Sequence, residues 1–260
     1  VPTIDDELAL FGAAADRFLS IGVLPACSPE ATALACDDKF ETCRILSERG
    51  VSAARSYLPE TLPADVALPL FIKPRVGRGA VGAFPVKTRA ELDFFLKYIP
   101  VPVLQEYLDG PEYTIDVLCD FRGRPLSIVP RERVVIRAGV IDRGRTVRSD
   151  ALTNLALAAC RALRFAGPIN IQCRMRGDEP AIIEINPRFS GGIPLTIAAG
   201  ADFPKMLVRL AMGLEVEPAI GDFQDGLWMT SYETALFLDP PRLGLRSLDE
   251  APLRRIGEVA

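Results

Sequence analysis

Hydrophobic positions along the chain switch between a helical and a strand period, and the switches mark out its elements. Residues 5–19 carry apolar positions at helical spacing behind the acidic start Asp5, Asp6 and Glu7. They predict a helix capped by Thr3 and stopped near Gly22. Residues 23–26 predict a short strand. Ser28-Pro29-Glu30 predicts a small helix with Pro29 in its first position. Residues 37–49 form a second amphipathic pattern, with Phe40, Cys43, Ile45 and Leu46 inward and Gly50 as its stop. Apolar residues 68–73 predict a buried strand, and residues 83–86 another. Thr88 and Glu91 have capping-box spacing, which predicts a helix to about Tyr98. Strands follow at 103–108, 112–120 and 126–129. In the second, Tyr113, Ile115, Val117 and Cys119 alternate with Glu112, Thr114 and Asp116. Asp150 is placed to cap an apolar helix to about Phe165. Helices are expected at 195–199 and 203–212, and a last strand at 228–238.

Between the helix from Asp150 and the later ones lies a predicted hairpin: strand-like runs 169–175 and 181–185 around Arg176-Gly177-Asp178-Glu179-Pro180. A turn centred on Asp178 sets Gln172 opposite Glu184 and Asn170 opposite Asn186. Gln172, Glu184 and Asn186 then converge on one face, with Ile171, Cys173, Ile183 and Ile185 packing beneath. Three hard oxygen donors suit Mg²⁺ held jointly with a phosphate. An ordinary amphipathic hairpin with one polar face fits the same residues.

Composition narrows the chemistry. The chain has 260 residues, 49% hydrophobic and 25% charged, with a net charge of −4. That is enough for one large domain or two joined ones, with no basic face for nucleic acid and no apolar run of membrane-spanning length. Six cysteines without a CxxC pair are expected as buried free thiols in a reducing cytoplasm. Histidine is absent. This excludes a Ser-His-Asp triad, a Cys-His dyad and any histidine base, and leaves carboxylates, amides, Lys, Arg and metal.

Pro74-Arg75-Val76-Gly77-Arg78-Gly79-Ala80-Val81-Gly82 contains GxGxxG between two predicted strands. A dinucleotide fingerprint would lead into a helix, and a kinase would place its lysine after the loop. Here Lys73 precedes it. The remaining readings are a plain glycine turn or a flap whose backbone N–H groups cover phosphates. Lys39, in a first helical turn, is favoured there only if an anion lies nearby. Arg131, Arg133, Arg137, Arg143, Arg145 and Arg148 crowd one stretch, in which most are expected to be solvated and a few to hold an anionic substrate.

The order Asp38-Lys39, FIKPRVGRGAVG, LQEYLDGPEYTIDV, NIQ and EINPRFSGG resembles the ATP-grasp superfamily, in particular its carbamoyl-phosphate synthase large-subunit type, over about residues 37–213. The resemblance implies an α+β fold in which a small α/β lid, about 66–108, closes over a larger antiparallel-sheet subdomain. It divides the chain into a remnant of a preceding domain (1–36), an ATP-grasp domain (37–215) and a C-terminal extension (216–260).

It also implies roles. Lys39 and Lys73 match the cations on the ATP phosphates, and Gly77, Arg78, Gly79 and Gly82 the mobile phosphate loop. Glu106, Tyr107 and Leu108 match the hinge strand facing adenine, and Glu112 the ribose carboxylate. Gln172, Glu184 and Asn186 match the Mg²⁺ ligands, with Mn²⁺ as a substitute. Arg188 matches the arginine near the γ-phosphate and, with Lys73, would be catalytic. The expected activity is ligation of a small-molecule carboxylate to an amine or ammonia through an acyl phosphate, with no nucleic-acid or membrane partner and a homodimer open. A non-catalytic nucleotide-binding module and half of a carbamoyl-phosphate synthase are the alternatives.

Overall fold

The computed structural model describes residues 1–232. Most of the strand expected over 228–238 and of the C-terminal extension lies outside the described residues. The acidic start forms α1 (Asp5–Ala13), and α2 (Ala15–Ser20) follows after a break at Ala14, so the single expected helix is two. Gly12 lets α1 press on the chain at Glu30, beyond α2, where a Cβ would lie 2.6 Å from the Glu30 nitrogen. Ile4, not Thr3, is the N-cap, with no side-chain bond. Residues 23–26 form no strand: Pro25 lacks a donor, and its carbonyl closes a turn with the Cys27 N–H at 3.0 Å. Pro29 caps α3 (Glu30–Asp37) from outside its first position. The helix expected from residue 37 starts later, as α4 (Lys39–Glu48), because Asp38 leaves the helical path to cap it. The Asp38 carboxylate accepts from the Phe40 and Glu41 N–H groups at 3.0 and 3.1 Å.

The next segment builds the lid. It runs β1 (Ser56–Tyr57), β2 (Leu70–Pro74), β3 (Phe84–Val86), α5 (Arg89–Tyr98) and β4 (Pro102–Glu106), an antiparallel sheet in the order β1-β4-β2-β3. The Thr88–Glu91 capping box forms as expected. Leu92 of α5 packs on Leu70, Ile72, Val86 and Leu104 to give this layer its own small core.

The larger sheet is built from β5 (Glu112–Cys119), β6 (Pro125–Arg137), β7 (Val140–Thr146), then α6 (Asp150–Ala162), β8 (Gly167–Arg176), β9 (Glu179–Asn186), α7 (Ile193–Ala198), α8 (Phe203–Ala211) and β10 (Trp228–Thr230). Its order is β10-β7-β6-β5-β8-β9, antiparallel throughout. Ser149 rather than Asp150 caps α6, because its hydroxyl accepts from the Leu152 N–H. One face of the sheet, with Ile115, Val117, Ile128, Ile169, Ile171 and Ile185, is sealed by Leu152, Leu155, Ala156 and Ala159 of α6 and by Cys43 and Leu46 of α4. On the far end of the other face Leu118 and Val129 meet Phe203 and Leu207 of α8. The six cysteines are free and at least partly buried. Two layers of antiparallel strands, each packed against helices, make the predicted α+β architecture.

A candidate ATP site between two sheets

The site is laid out by strand register. Glu112, Thr114 and Asp116 of β5 point into the cleft, as their alternation required. Across β6 they face Arg133, Arg131 and Val129, and across β8 they face Arg174, Gln172 and Asn170. On β9, Gln172 meets Glu184 and Asn170 meets Asn186, the pairing expected from the turn alone. The hairpin departs from expectation at one residue. A bulge after Gln172 pairs Cys173 with Ile182 and leaves Ile183 extra. Ile182 therefore takes the core position assigned to Ile183, and Ile183 turns to the cleft beside Glu184. The bulge also frees the Ile183 carbonyl, which accepts from Lys73 Nζ at 3.2 Å. Strand periodicity could not signal this.

Lys73 is buried, and desolvation lowers its ammonium below the usual lysine range, with Glu184 opposing. Lys39 is also buried, and its Nζ donates to the Gly77 carbonyl at 2.5 Å. Lys39 is aimed by the α3–α4 corner. Asp38 grips Arg75 at 2.7 Å, and the Lys39 N–H donates to the Arg75 carbonyl at 3.0 Å, so the start of α4 is pinned to the end of β2. Gly77, Gly79 and Gly82 all have positive φ, which only glycine adopts without strain. The loop they make lies on the β6–β7 turn, where a Cβ on Gly139 would come within 2.9 Å of Gly79 Cα.

Three cavities adjoin along this cleft. The first, about 300 Å³, is lined by Phe71, Glu106, Tyr107, Leu108 and Ile183, the hinge residues expected around adenine. The Glu106 side chain faces elsewhere, binding the Arg55 N–H at 2.7 Å and Arg176, and Leu108 offers its carbonyl to Arg174 at 2.6 Å. The second, about 180 Å³, shares Lys73, Glu112 and Ile183 with the first and adds Lys39, Gly77, Arg78, Gly79, Gln172 and Glu184. Gly82 stands behind it, against Pro74. Glu112 is held between Arg174 Nε at 3.1 Å and Arg133 Nε at 3.3 Å. The third, about 510 Å³, shares Gln172 and Glu184 with the second and is lined by Arg131, Asn170, Arg188, Ser190, Gly191 and Gly192.

Gln172 and Glu184 thus meet at the junction, while Asn186 lines a small adjoining pocket with Asp5, Asp37 and Lys39 and donates from Nδ2 to Glu184 Oε1 at 2.9 Å. Arg188 reaches the third cavity but is gripped from α1 by Asp5. Sequence reasoning left Arg131 and Arg133 undistinguished within the arginine-dense stretch and gave no role to Asn170, Arg174 or Asp116. The signal available was the polar alternation of β5, which obliges its neighbours to present polar partners on the same face.

The family described as "ATP-grasp in the biosynthetic pathway with Ter operon" matches residues 99–235, more than half of the chain. The chain belongs to this ATP-grasp family. It is 26% identical over 208 residues to the carbamoyl phosphate synthase arginine-specific large chain of Bacillus subtilis, a match covering 71% of this chain and 20% of that one. The chain spans less than half the length of the curated relatives it matches. In three dimensions it is similar to biotin carboxylase of Campylobacter jejuni in a β,γ-ATP complex, with TM-score 0.71, 14% identity, and 85% of this chain and 56% of that one covered. It is also similar to D-alanine–D-alanine ligase of Bacillus anthracis complexed with ATP, with TM-score 0.59, 20% identity, and 78% and 75% covered. These likenesses show the fold, an ATP-grasp lid over an antiparallel sheet. Among the described residues no helix is long and apolar enough to cross a membrane.

Proposed function

We propose that this ATP-grasp chain binds MgATP along the cleft and spends it on activating a carboxylate as an acyl phosphate, which an amine or ammonia then attacks. The observation that carries this reading is the line of three adjoining cavities, apolar at the hinge, cationic under the glycine loop and roomy beyond the Glu184 carboxylate. Adenine fits the first, between Phe71, Leu108 and Ile183. The triphosphate fits the second, where Lys39 and Lys73 supply charge and the glycine loop supplies backbone N–H groups. Glu112, fixed by two arginines, is placed to accept ribose hydroxyls.

The junction residues, with Asn186 beside them, fit a magnesium ion: one carboxylate from Glu184 and amide oxygens from Gln172 and Asn186 are hard donors, too few to complete its shell without phosphate oxygens. When bound there, Mg²⁺ would neutralise phosphate charge. Arg188 adds a cation on the acceptor side, and the closed glycine loop keeps water from a reactive acyl phosphate. Bicarbonate, with four non-hydrogen atoms, would leave most of the 510 Å³ cavity open, which favours a larger carboxylate or amine over a carbamoyl-phosphate synthase half-reaction.

The test is ADP release from MgATP across a panel of carboxylates, each with and without amines. Release that depends on both substrates is expected, falling by about 100-fold or more in Glu184→Ala and Lys73→Ala. Unchanged release in either variant would overturn the assignment.

A further inference from the structure

Among residues lining the third cavity, three buried side-chain atoms have no hydrogen-bond partner among the described residues: Arg133 Nε, which faces Glu112 at 3.3 Å, and Arg131 Nη1 and Asn170 Oδ1. Arg131 is 1% exposed, a rare depth for an arginine. Its other nitrogens are fully committed. Nε and Nη2 bind the Asp116 carboxylate at 2.8 and 3.1 Å, and Nη2 also donates to Ser190 Oγ at 2.9 Å. Asp116 is in turn held by the Thr196 hydroxyl at 2.5 Å. The guanidinium is therefore locked in place, with Nη1 buried and unpartnered in the cavity wall. Gly192 lies against that end, where a Cβ would run into Nη1.

Asn170 is the register partner of Asp116 on β8, so its amide stands beside the carboxylate that grips Arg131. The cavity wall thus carries an unfilled donor and an unfilled acceptor two strands apart. Their order matters. Asn170 is next to Asn186 across β9, at the proposed metal and phosphate end, whereas Arg131 lies two strands away on β6.

Building on the ligase reading, we propose that the third cavity binds an α-amino acid as the amine substrate, its carboxylate on Arg131 Nη1 and its amino group on Asn170 Oδ1. Asp116 already balances the Arg131 charge, which suits a monoanionic carboxylate better than a dianionic phosphate. An acceptor oxygen repels an anion and takes an N–H donor, so Asn170 selects the amino end. That end lies toward the acyl phosphate and the carboxylate lies away from it, so the bound amino acid is the nucleophile and its own carboxylate is not activated. In the transfer the amine nitrogen forms a bond to the acyl carbon and the carbon–oxygen bond to phosphate breaks. Of the two protons the ammonium gives up, one leaves with hydrogen phosphate and one passes to solvent.

The experiment compares ADP release with each amino acid, its carboxamide and ammonia, on the full chain, in wild type and two variants. Arg131→Gln leaves Asp116 buried without its partner and can impair folding, so Gly192→Ala, which presses on Nη1 while retaining both charged partners, is measured beside it, with thermal unfolding of each variant. Wild type is expected to prefer one or more amino acids over their carboxamides by at least tenfold in kcat/KM. Gly192→Ala is expected to erase that preference through KM for the amino acid, with KM for ATP unchanged. Release with ammonia or simple amines but no gain from any amino acid would overturn this inference and leave the ligase reading standing. No substrate-dependent release under any condition would overturn both.

Discussion

Asp5 and Arg188, 183 residues apart in sequence, form a two-pronged ion pair in which Nε and Nη2 each reach a carboxylate oxygen at 2.8 Å. The partners' side chains are 14% and 17% exposed, so water screens the pair only in part. The arginine expected beside the γ-phosphate is therefore positioned from the N-terminal segment, by the acidic first turn of α1. A neighbouring bridge, Asp6 to Arg78 at 3.0 Å, links the same turn to the glycine loop, though both of its partners are exposed.

A double-mutant cycle on Asp5→Ala and Arg188→Met should give a coupling of about 1–3 kcal/mol, the range for hydrogen bonds to charged groups. Urea unfolding of the four proteins measures it. Because Asp5 offsets the charge of Arg188, Asp5→Ala should not weaken MgATP binding even as it lowers stability. A coupling near zero would show the pair to be ornamental.

Lys73 predicts opposite pH slopes for stability and for nucleotide affinity. Burial lowers its pKa, so the unfolded chain binds more protons than the folded one, and stability should rise with pH between the folded value and about 10.4. Phosphate binding needs the charged lysine. ATP affinity should therefore fall as pH rises through the folded pKa, earlier than an ordinary lysine would allow. Calorimetric titration across pH checks this, and Lys73→Met should flatten both slopes. A wild-type affinity independent of pH until above the ordinary lysine range would count against it.

The pairing that the proposed metal site rests on was legible because it depends on strand period and on one turn: Gln172 against Glu184 and Asn170 against Asn186 follow once Asp178 sits in the bend. Ile183 was not legible, because a bulge adds a residue without changing the apolar pattern around it. Arg131 and Arg133 could not be singled out for a related reason. β6 runs on to Arg137 through Arg131, Glu132 and Arg133, beyond the apolar stretch that ends at Val129. Only its pairing with β5 separates the buried Arg131 from arginines on the exposed end of the same stretch. Caps slipped by one residue wherever two capping side chains adjoin, as at Ser149 and Asp150.

Metal affinity should depend on nucleotide. The junction holds a single carboxylate, and among the described residues no cluster of three acidic, cysteine or histidine side chains exists. Mg²⁺ alone should show no binding by calorimetry up to millimolar concentrations, whereas ATP should bind with Mg²⁺ far more tightly than without it. In Glu184→Gln the Mg²⁺-dependent gain should largely vanish. Tight Mg²⁺ binding without nucleotide would place the metal elsewhere.

The glycine loop closes on the β6–β7 turn through a contact that admits no side chain. Gly139 has φ +77° and meets Gly79 across a gap too small for a Cβ. Gly139→Val should push the loop outward and strain the turn, and both effects are local, because the turn lies at the open end of the sheet. KM for ATP should rise by about tenfold, because the loop covers the phosphates and its Gly77 carbonyl holds Lys39, whereas Lys73 is held from β9 and stays in place. Thermal unfolding should shift by only a few degrees, in keeping with about 1 kcal/mol of backbone strain. An unaltered KM would mean that the loop reaches its closed position without this contact. A collapse in stability would instead make the turn part of the folding core.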